Sequence, residues 1–243
     1  MPERELLLAR TFVDVADTLV SDFDVVEFLT LLTTRCVELF DLAGAGLLLM
    51  DPSGGIEVAA ASDHRMELLD RFELLHDEGP CVDCFQSGDP VMSDDLQLEA
   101  GRWPRFAPEA LTAGYAAVAA VPLRLRGQII GAMNLLRNET GSPGPRDLIA
   151  AQALADVATI GLLQQRASAE QRLLAEQLQH ALDSRVVVEQ AKGVLAAGTG
   201  LDVDGAFAAL RQYARNRNQR LSEVAHALVS RTLSPNVVVE GLT

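Results

Sequence analysis

The spacing of apolar residues divides the chain into an N-terminal part of mixed helices and strands and a helical C-terminal part. Steps of four and three residues define one apolar face of a first helix, formed by Leu8, Phe12, Val15 and Leu19. Helical spacing continues from Val25 to Phe40, and Ser21 and Asp22 before it are candidate capping residues. The chain is therefore predicted to begin with two amphipathic helices.

Short apolar runs then replace the helical spacing. Residues 45–50 and 56–61 flank the turn sequence Asp51-Pro-Ser-Gly-Gly, so they predict an antiparallel hairpin. The next region is predicted to contain a helix, a short strand and a second short helix, at residues 65–75, 91–96 and 108–112. Trp103 and Phe106 lie in a segment predicted as loop, where they can either cover a pocket or pack on the sheet.

The clearest strand pair lies near the middle of the chain. Residues 116–125 and 128–136 flank Arg126-Gly127, a two-residue link suited to a tight hairpin turn. Pro122 indicates an edge position or a bulge, because proline cannot donate a hydrogen bond to a neighbouring strand. These two strands are predicted to belong to an antiparallel sheet.

A long helix is predicted to start near Arg146, and no proline interrupts it up to Leu195. Positions at heptad spacing form an apolar seam of Ala153, Val157, Ile160, Ala167, Leu174, Leu178 and Ala181. Gln164 and Gln171 interrupt this seam. The pattern favours a coiled-coil-like helix that joins two copies of the chain. The alternative is one helix that packs on the sheet and continues as a solvated linker.

Three short helices are predicted after residue 185. The first ends at Gly198-Thr-Gly200, Asp202 is a candidate N-cap for the second, and Ser222 is a candidate N-cap for the third. Helical spacing directs small or apolar side chains inward at Ala191, Ala206, Leu210, Ala214, Val224 and Ala225. The C-terminal part is therefore predicted to be a compact helical bundle.

Composition limits the partners that the chain can have. Its 243 residues are 49% hydrophobic and 22% charged, which is typical of a globular protein with one large or two ordinary domains. The formal net charge is −14, but residues 185–231 contain seven Lys/Arg and four Asp/Glu, a local +3 that leaves −17 elsewhere. Binding to nucleic acid would therefore be local to this module. The longest apolar runs are too short for a membrane span, and Met1 precedes charged residues, so we expect a cytoplasmic protein with no membrane partner.

The segment GYAAVAAVPLRLRGQIIGAMNLL at residues 114–136 resembles the GAF domain family, in a layout of helices and hairpins that matches over roughly residues 5–165. The resemblance implies an antiparallel sheet with flanking helices. It also implies a domain that senses a small molecule or drives dimerisation rather than one that catalyses a reaction. The sequence does not identify a ligand or cofactor.

The pair Cys81-Val-Asp-Cys84 is the main candidate for chemistry in this part of the chain. A CxxC pair can be redox-active or can supply half of a metal site, for which Cys36, His64 and His76 are the nearest additional ligands. The simpler interpretation is that Cys81 and Cys84 are small, inert side chains, and we expect no metal at this pair. Methionine sulfoxide reductase activity is known on GAF-like folds that use several cysteines, so the resemblance also leaves an enzyme alternative open.

The C-terminal segment resembles the ANTAR domain, an RNA-binding module of transcription antiterminators. The resemblance rests on Ala191-Lys-Gly-Val-Leu, Ala206-Phe, Leu210-Arg, Ala214, Asn218, Leu221 and Val224-Ala225. Ala196 departs from the family pattern, which often has methionine there. The resemblance implies a three-helix bundle that binds RNA stem-loops in nascent transcripts as a dimer and prevents formation of a terminator hairpin.

A basic face on the second helix of this module carries the predicted RNA contacts. Arg211 and Arg215 lie one turn apart, on a face offset from the apolar positions. The full set of predicted RNA-binding residues is Arg211, Arg215, Arg217, Arg220, Lys192, Asn218 and Tyr213. Tyr213 can stack on a base or pack at the edge of the bundle. The simpler alternative for the arginines is a solvated helix face.

Together these patterns predict an α+β fold at the N-terminus, followed by helices. The predicted parts are a GAF-like sensor domain (1–165), a helical connector that overlaps its last helix (146–184), an ANTAR domain (185–233) and a tail (234–243). The predicted function is a signal-responsive antitermination regulator, not an enzyme. It would act as a homodimer through the connector and the GAF domain, with a small-molecule or redox signal as input. A DNA-binding helix-turn-helix regulator and a cysteine-based methionine sulfoxide reductase are the alternatives.

Overall fold

A computed structural model describes residues 2–19, 23–51 and 53–240 of the chain. It divides into two compact units, Met1–Arg166 and Ala167–Thr243. The candidate capping residues Ser21 and Asp22 lie outside the described residues. Asp24 caps the second helix instead, because its carboxylate accepts hydrogen bonds from the backbone N–H groups of Val26 and Glu27.

The N-terminal unit alternates helices and strands. Its elements are α1 (Pro2–Thr18), α2 (Val25–Phe40), β1 (Gly44–Met50), β2 (Ile56–Ala61), α3 (His64–His76), α4 (Pro80–Ser87), β3 (Val91–Ser93), α5 (Phe106–Thr112), β4 (Ala117–Leu125), β5 (Gln128–Arg137) and the first part of α6 (Pro145–Thr199). A 3-10 turn at Leu96–Leu98 lies between β3 and α5. The two helices, the two hairpins and the long helix predicted from the sequence are all present.

The five strands form one antiparallel sheet in the order β2-β1-β5-β4-β3. The turn between β4 and β5 has positive φ angles at Arg126 (50°) and Gly127 (86°), as a two-residue hairpin turn of the favoured twist requires. Pro122 lies beyond the stretch of β4 that pairs with β3, and a bulge follows at Leu123. At Pro122, therefore, β4 has a neighbouring strand on one side only, as expected for a proline in a sheet.

The sheet has an apolar core on each side. On one side α1, α2 and α6 pack on residues such as Leu47, Val121 and Met133. On the other side α3, α4 and α5 cover Leu48, Ala120 and Ala132. This alternation follows from the strand period of two, since neighbouring residues of β1 serve opposite cores.

Helix α6 is the one described helix that is long and apolar enough to cross a membrane by length and composition. Its residues Leu154, Ala158 and Leu162 are buried in the first core, as in the core helix of a globular domain. The helix therefore does not indicate a membrane protein.

The segment around the CxxC pair differs from the prediction. Both cysteines lie in the helix α4 and not in a loop. Pro80 is compatible with this helix because it occupies the first turn, where its missing N–H group costs nothing. Trp103 and Phe106 are 1% and 0% exposed and contact each other edge to face, so they pack in the core and do not cover a pocket.

The C-terminal unit is a helical bundle in which the last part of α6 packs with α7 (Val203–Asn216), α8 (Leu221–Val229) and α9 (Pro235–Glu240). The predicted tail thus contains a fourth helix, whose Val238 is fully buried in the bundle. Asp202 caps α7 as predicted, by accepting a hydrogen bond from the N–H of Gly205. Ser222 does not cap α8; the side chain of Glu223 instead accepts a hydrogen bond from the N–H of Arg220.

Candidate functional site

An exposed arginine pair marks the outer face of α7. Arg211 and Arg215 lie one turn apart and are both exposed, while Ala206, Leu210 and Ala214 on a neighbouring face are buried. This division follows from the helical period, which separates the polar and apolar positions of α7. Two positive charges at this spacing can contact successive phosphates of a nucleic acid.

Two cations lie near the aromatic ring of Phe207. The guanidinium of Arg211 lies 5.7 Å from the ring centre, and the ammonium of Lys192 on α6 lies 5.2 Å from it. Both distances fall within the range of cation–π attraction. The ring is only partly buried, so part of it is exposed at the surface of the module.

Lys192 itself is not an unpaired charge. Its ammonium is 2.8 and 3.0 Å from the two carboxylate oxygens of Glu189, and its side chain is only 15% exposed. Lys192 is therefore paired within the protein and lies beside the Phe207 ring, and its contact with RNA stays a prediction.

Tyr213 packs in the bundle. It is 3% exposed, and the guanidinium of Arg217 lies 4.4 Å from the centre of its ring. A base cannot stack on a ring that is buried and already covered by a guanidinium. Of the two interpretations of Tyr213, the structure favours core packing over stacking on a base.

Asn218 has a backbone role at the end of α7. Its φ angle is 51°, in the left-handed region, where asparagine is tolerated better than most residues. The N–H of Asn218 donates to the carbonyl of Arg215, and the N–H of Gln219 donates to the carbonyl of Ala214. This pair of bonds is a Schellman motif, so helix termination alone explains asparagine at this position.

Arg217 and Arg220 continue the basic surface beyond α7. Both are exposed, and they lie on either side of Asn218 in the connection to α8. Arg211, Arg215, Arg217 and Arg220 are thus all exposed, within ten residues of one another along the chain. The six predicted core positions, from Ala191 to Ala225, are at most 4% exposed.

The N-terminal unit contains a buried polar cluster that sequence reasoning missed. Asp70 and Glu73 on α3 are fully buried, and the side-chain amide of Asn134 on β5 donates to both, at 3.0 and 2.7 Å. Burial raises the pKa of Asp70 to about 7 and that of Glu73 to about 8. Two acidic residues on a helix suggest a solvated face, and no sequence signal distinguished these two.

The CxxC pair lies beside this cluster. Cys81 and Cys84 are both buried, and burial raises the pKa of Cys81 well above its usual value and that of Cys84 to about 12. A reactive cysteine needs an accessible thiolate, so this environment disfavours redox chemistry. Within the described residues no group of three or more His, Cys, Asp or Glu side chains is arranged to hold a metal ion.

Comparison with known families assigns both parts of the chain. The GAF domain model matches residues 24–162, more than half of the chain, and the ANTAR domain model matches residues 176–229. A nitrate regulatory protein of Klebsiella oxytoca is 36% identical over 77 residues, which are 31% of this chain and 19% of that protein. The chain therefore spans about a fifth of the length of the curated relative it matches.

Solved structures agree on the fold of the N-terminal unit. The GAF domain of a phosphoenolpyruvate-protein phosphotransferase from Coxiella burnetii gives a TM-score of 0.56 at 15% identity, over 68% of this chain and 98% of that one. The corresponding Acinetobacter domain gives 0.53 at 12% identity, over 69% and 96%. The free methionine-R-sulfoxide reductase of Neisseria meningitidis, in complex with its substrate, gives 0.51 at 17% identity, over 68% and 91%. At these identities the likeness shows the fold alone.

Neither the helix-turn-helix alternative nor the reductase alternative is favoured by these matches. The residues that carried the resemblances, from the central hairpin of the sheet to the Ala191–Ala225 core, lie inside the matched segments. The chain therefore belongs to the GAF domain family, and its C-terminal unit matches the ANTAR domain.

Proposed function

We propose that this chain is a transcription antitermination regulator that binds RNA stem-loops in nascent transcripts through its ANTAR domain, under the control of its GAF domain. The observation that supports it most is the exposed Arg211–Arg215 pair on α7, beside the partly exposed Phe207 ring. In this proposal the chain acts in the cytoplasm and catalyses no reaction.

The chemistry of the arginine face suits RNA. A guanidinium can donate two hydrogen bonds to one phosphate and can also stack on an unpaired base, as the loop of a hairpin presents. The chain as a whole carries −14, so the rest of its surface repels a polyanion and favours engagement through this face alone. Four exposed arginines make a small interface, and one module would bind RNA weakly.

A second copy of the chain would supply the missing affinity. Beyond the GAF unit, α6 exposes Leu174 and Leu178, each 57% exposed, at the heptad positions of the predicted seam. Leucines at such positions favour pairing with an identical helix. A homodimer would present two arginine faces to two adjacent stem-loops, and binding of the second becomes intramolecular once the first is bound.

The input would enter through the GAF domain. A small molecule is the favoured signal, because the high pKa of the buried Cys81 and Cys84 thiols disfavours a redox input. Binding would act on the output by changing how the two ANTAR domains of the dimer are presented.

Substitution of the arginine pair tests the proposed function. Arg211→Ala/Arg215→Ala should weaken binding to a paired stem-loop RNA by about tenfold or more, since each charge-assisted hydrogen bond contributes roughly 1.5–3 kcal/mol. Readthrough of a terminator in a purified transcription reaction should fall with it. The matched control is Arg71→Ala/Arg105→Ala, which removes two exposed arginines from the GAF unit. Equal losses in both double variants would exclude a specific role for the α7 face.

A further inference from the structure

A single amide connects two buried carboxyl groups in the GAF domain. Asp70 and Glu73 lie one turn apart on α3, and both are 0% exposed. The amide nitrogen of Asn134 donates one hydrogen bond to each, at 3.0 Å to Asp70 Oδ1 and 2.7 Å to Glu73 Oε2. The cluster lies on the sheet face that α3 and α4 cover.

The cluster is tightly enclosed. Asn134 pairs with Gly46 across β1 and β5, and a Cβ at Gly46 would collide with the carboxyl of Asp70. Asp70 Oδ2 and Asn134 Oδ1 are buried and have no hydrogen-bond partner among the described residues. Both are acceptor atoms, so the cluster has an excess of acceptors over donors.

No cation balances the two carboxyl groups in the part of the chain that the structure describes. The titratable groups that face them are the thiols of Cys81 and Cys84 on α4 and the hydroxyl of Tyr115 before β4. β1 has no titratable side chain, while Glu57 on β2 and Glu109 on α5 are exposed. Arg65, also on α3, lies over the Tyr115 ring, and Arg124 on β4 lies beside Cys84.

The two carboxyl groups differ in their donors. Glu73 accepts three hydrogen bonds, from Asn134 and from the backbone N–H groups of Cys81 (2.6 Å) and Val82 (3.1 Å). Asp70 accepts only the one from Asn134. Three N–H donors stabilise a carboxylate at Glu73, whereas a proton on Asp70 Oδ2 would remove one of the unpartnered acceptors.

Glu73 also holds the start of α4. Cys81 and Val82 lie in the first turn of that helix, where N–H groups have no partner within the helix itself. Any change in the charge or position of Glu73 therefore acts directly on the attachment of α4 to α3.

We propose that Asp70, Glu73 and Asn134 form a proton-linked switch, in which the carboxyl pair holds one proton at neutral pH and its release loosens α4 from the sheet. In the release step the O–H bond of the carboxyl group that holds the shared proton breaks and the proton passes to water. Two negative charges one turn apart on α3 then lie in an apolar interior, which is costly, and opening of the α4 start admits water that solvates them. This switch belongs to the GAF unit and does not depend on RNA binding.

Trp103 reports on α4. It is the one tryptophan of the chain, it is 1% exposed, and its indole N–H donates to Asp83 of α4 at 3.1 Å. The test follows the fluorescence of Trp103 in the full-length protein between about pH 5 and pH 9. Exposed carboxyl groups lose their protons mainly below this range. The wild type should show a transition near neutral or mildly alkaline pH that is absent from Asp70→Asn and Glu73→Gln.

His76 is the control, because it is another titratable side chain on α3. His76→Gln should keep the transition. A transition that survives in Asp70→Asn and Glu73→Gln, or one that His76→Gln removes, would overturn the proposal.

An infrared measurement on the wild type does not depend on the folding of any variant. At pH 7 exposed carboxyl groups are ionised, so the C=O band of a protonated carboxylic acid should come from the buried pair. That band should disappear over the same pH range as the fluorescence transition. Its absence at pH 7 would contradict the proposal.

Discussion

The guanidinium of Arg211 lies 5.7 Å from the centre of the Phe207 ring, which places a positive charge beside an aromatic face at the surface of the ANTAR domain. Lys192 approaches the same ring from α6. The ring therefore restrains the long side chain of Arg211. An arginine restrained before binding loses less side-chain entropy when it contacts RNA.

Replacement of the ring tests this restraint. Phe207→Leu keeps an apolar side chain but removes the π face, so we expect RNA affinity to fall about three- to tenfold, the equivalent of roughly 0.7–1.4 kcal/mol. Phe207→Tyr keeps the ring and should bind as the wild type does. Equilibrium binding to a stem-loop RNA measures both, with circular dichroism to compare their folding. Wild-type affinity in Phe207→Leu would show that the ring does not restrain Arg211 for RNA binding.

Asn218 offers a test that separates a backbone role from contact with RNA. Asn218→Gly should leave the stability of the ANTAR domain unchanged or slightly raised, because glycine adopts the φ of 51° without steric cost. Asn218→Ala should lower it by about 1 kcal/mol. Chemical unfolding followed by circular dichroism measures both changes. If Asn218→Gly is stable but binds RNA less tightly, then the amide side chain does contact RNA.

The carboxyl pair predicts how the stability of the GAF unit depends on pH. The pKa of Asp70 is raised to about 7 and that of Glu73 to about 8, so the folded state holds protons that the unfolded chain has already released. Their contribution is fully present below about pH 4 and is lost as the pH rises to about 8. We expect the free energy of unfolding to fall by a few kcal/mol over this range.

Asp70→Asn provides the comparison for that prediction. A neutral amide cannot lose the proton, so the variant should show a shallower decline of stability with pH and should be more stable than the wild type near pH 8. Repulsion among the acidic surface residues affects both proteins equally and cancels in the difference. Parallel pH profiles for the two proteins would show that Asp70 is not protonated in the folded state.

The exposed leucines of α6 predict self-association. Leu174→Asn/Leu178→Asn replaces two exposed apolar side chains with polar ones and should shift the chain from dimer to monomer in analytical ultracentrifugation. Because the two ANTAR domains would then bind independently, affinity for a paired stem-loop RNA should fall towards that for a single stem-loop. If the wild-type chain is already monomeric, α6 does not pair two copies of the chain.

Local rules are enough to predict the regular parts of the fold. Arg126-Gly127 specifies its hairpin turn through two positive φ angles, and Asp202 caps α7 through its own side chain. The sequence pattern does not predict α4 and α9, because Pro80 and Pro235 indicate loops although each begins a helix. Proline in the first turn fits a helix as well as it fits a loop, and tertiary contacts decide between them.

The candidate sites divide in the same way. The arginine face of α7 could be predicted because exposure follows from helical periodicity. Tyr213 and Lys192 could not be placed, since the burial of one and the pairing of the other with Glu189 depend on how α6 packs against α7. The burial of Asp70 and Glu73 could not be predicted, because their shared donor Asn134 comes from β5, a part of the chain that is far away in sequence.

Binding of structured RNA by the ANTAR domain can be measured directly. The affinity of the full-length protein is compared for an RNA with two adjacent stem-loops, a scrambled RNA and duplex DNA of the stem-loop sequence, over a series of salt concentrations. We expect the stem-loop RNA to bind most tightly. In Arg211→Ala/Arg215→Ala the slope of log K against log salt concentration should become shallower, by about 0.7–0.9 for each phosphate that the variant no longer neutralises. Duplex DNA or scrambled RNA that binds as tightly as the stem-loop RNA would contradict the proposed recognition of structured RNA.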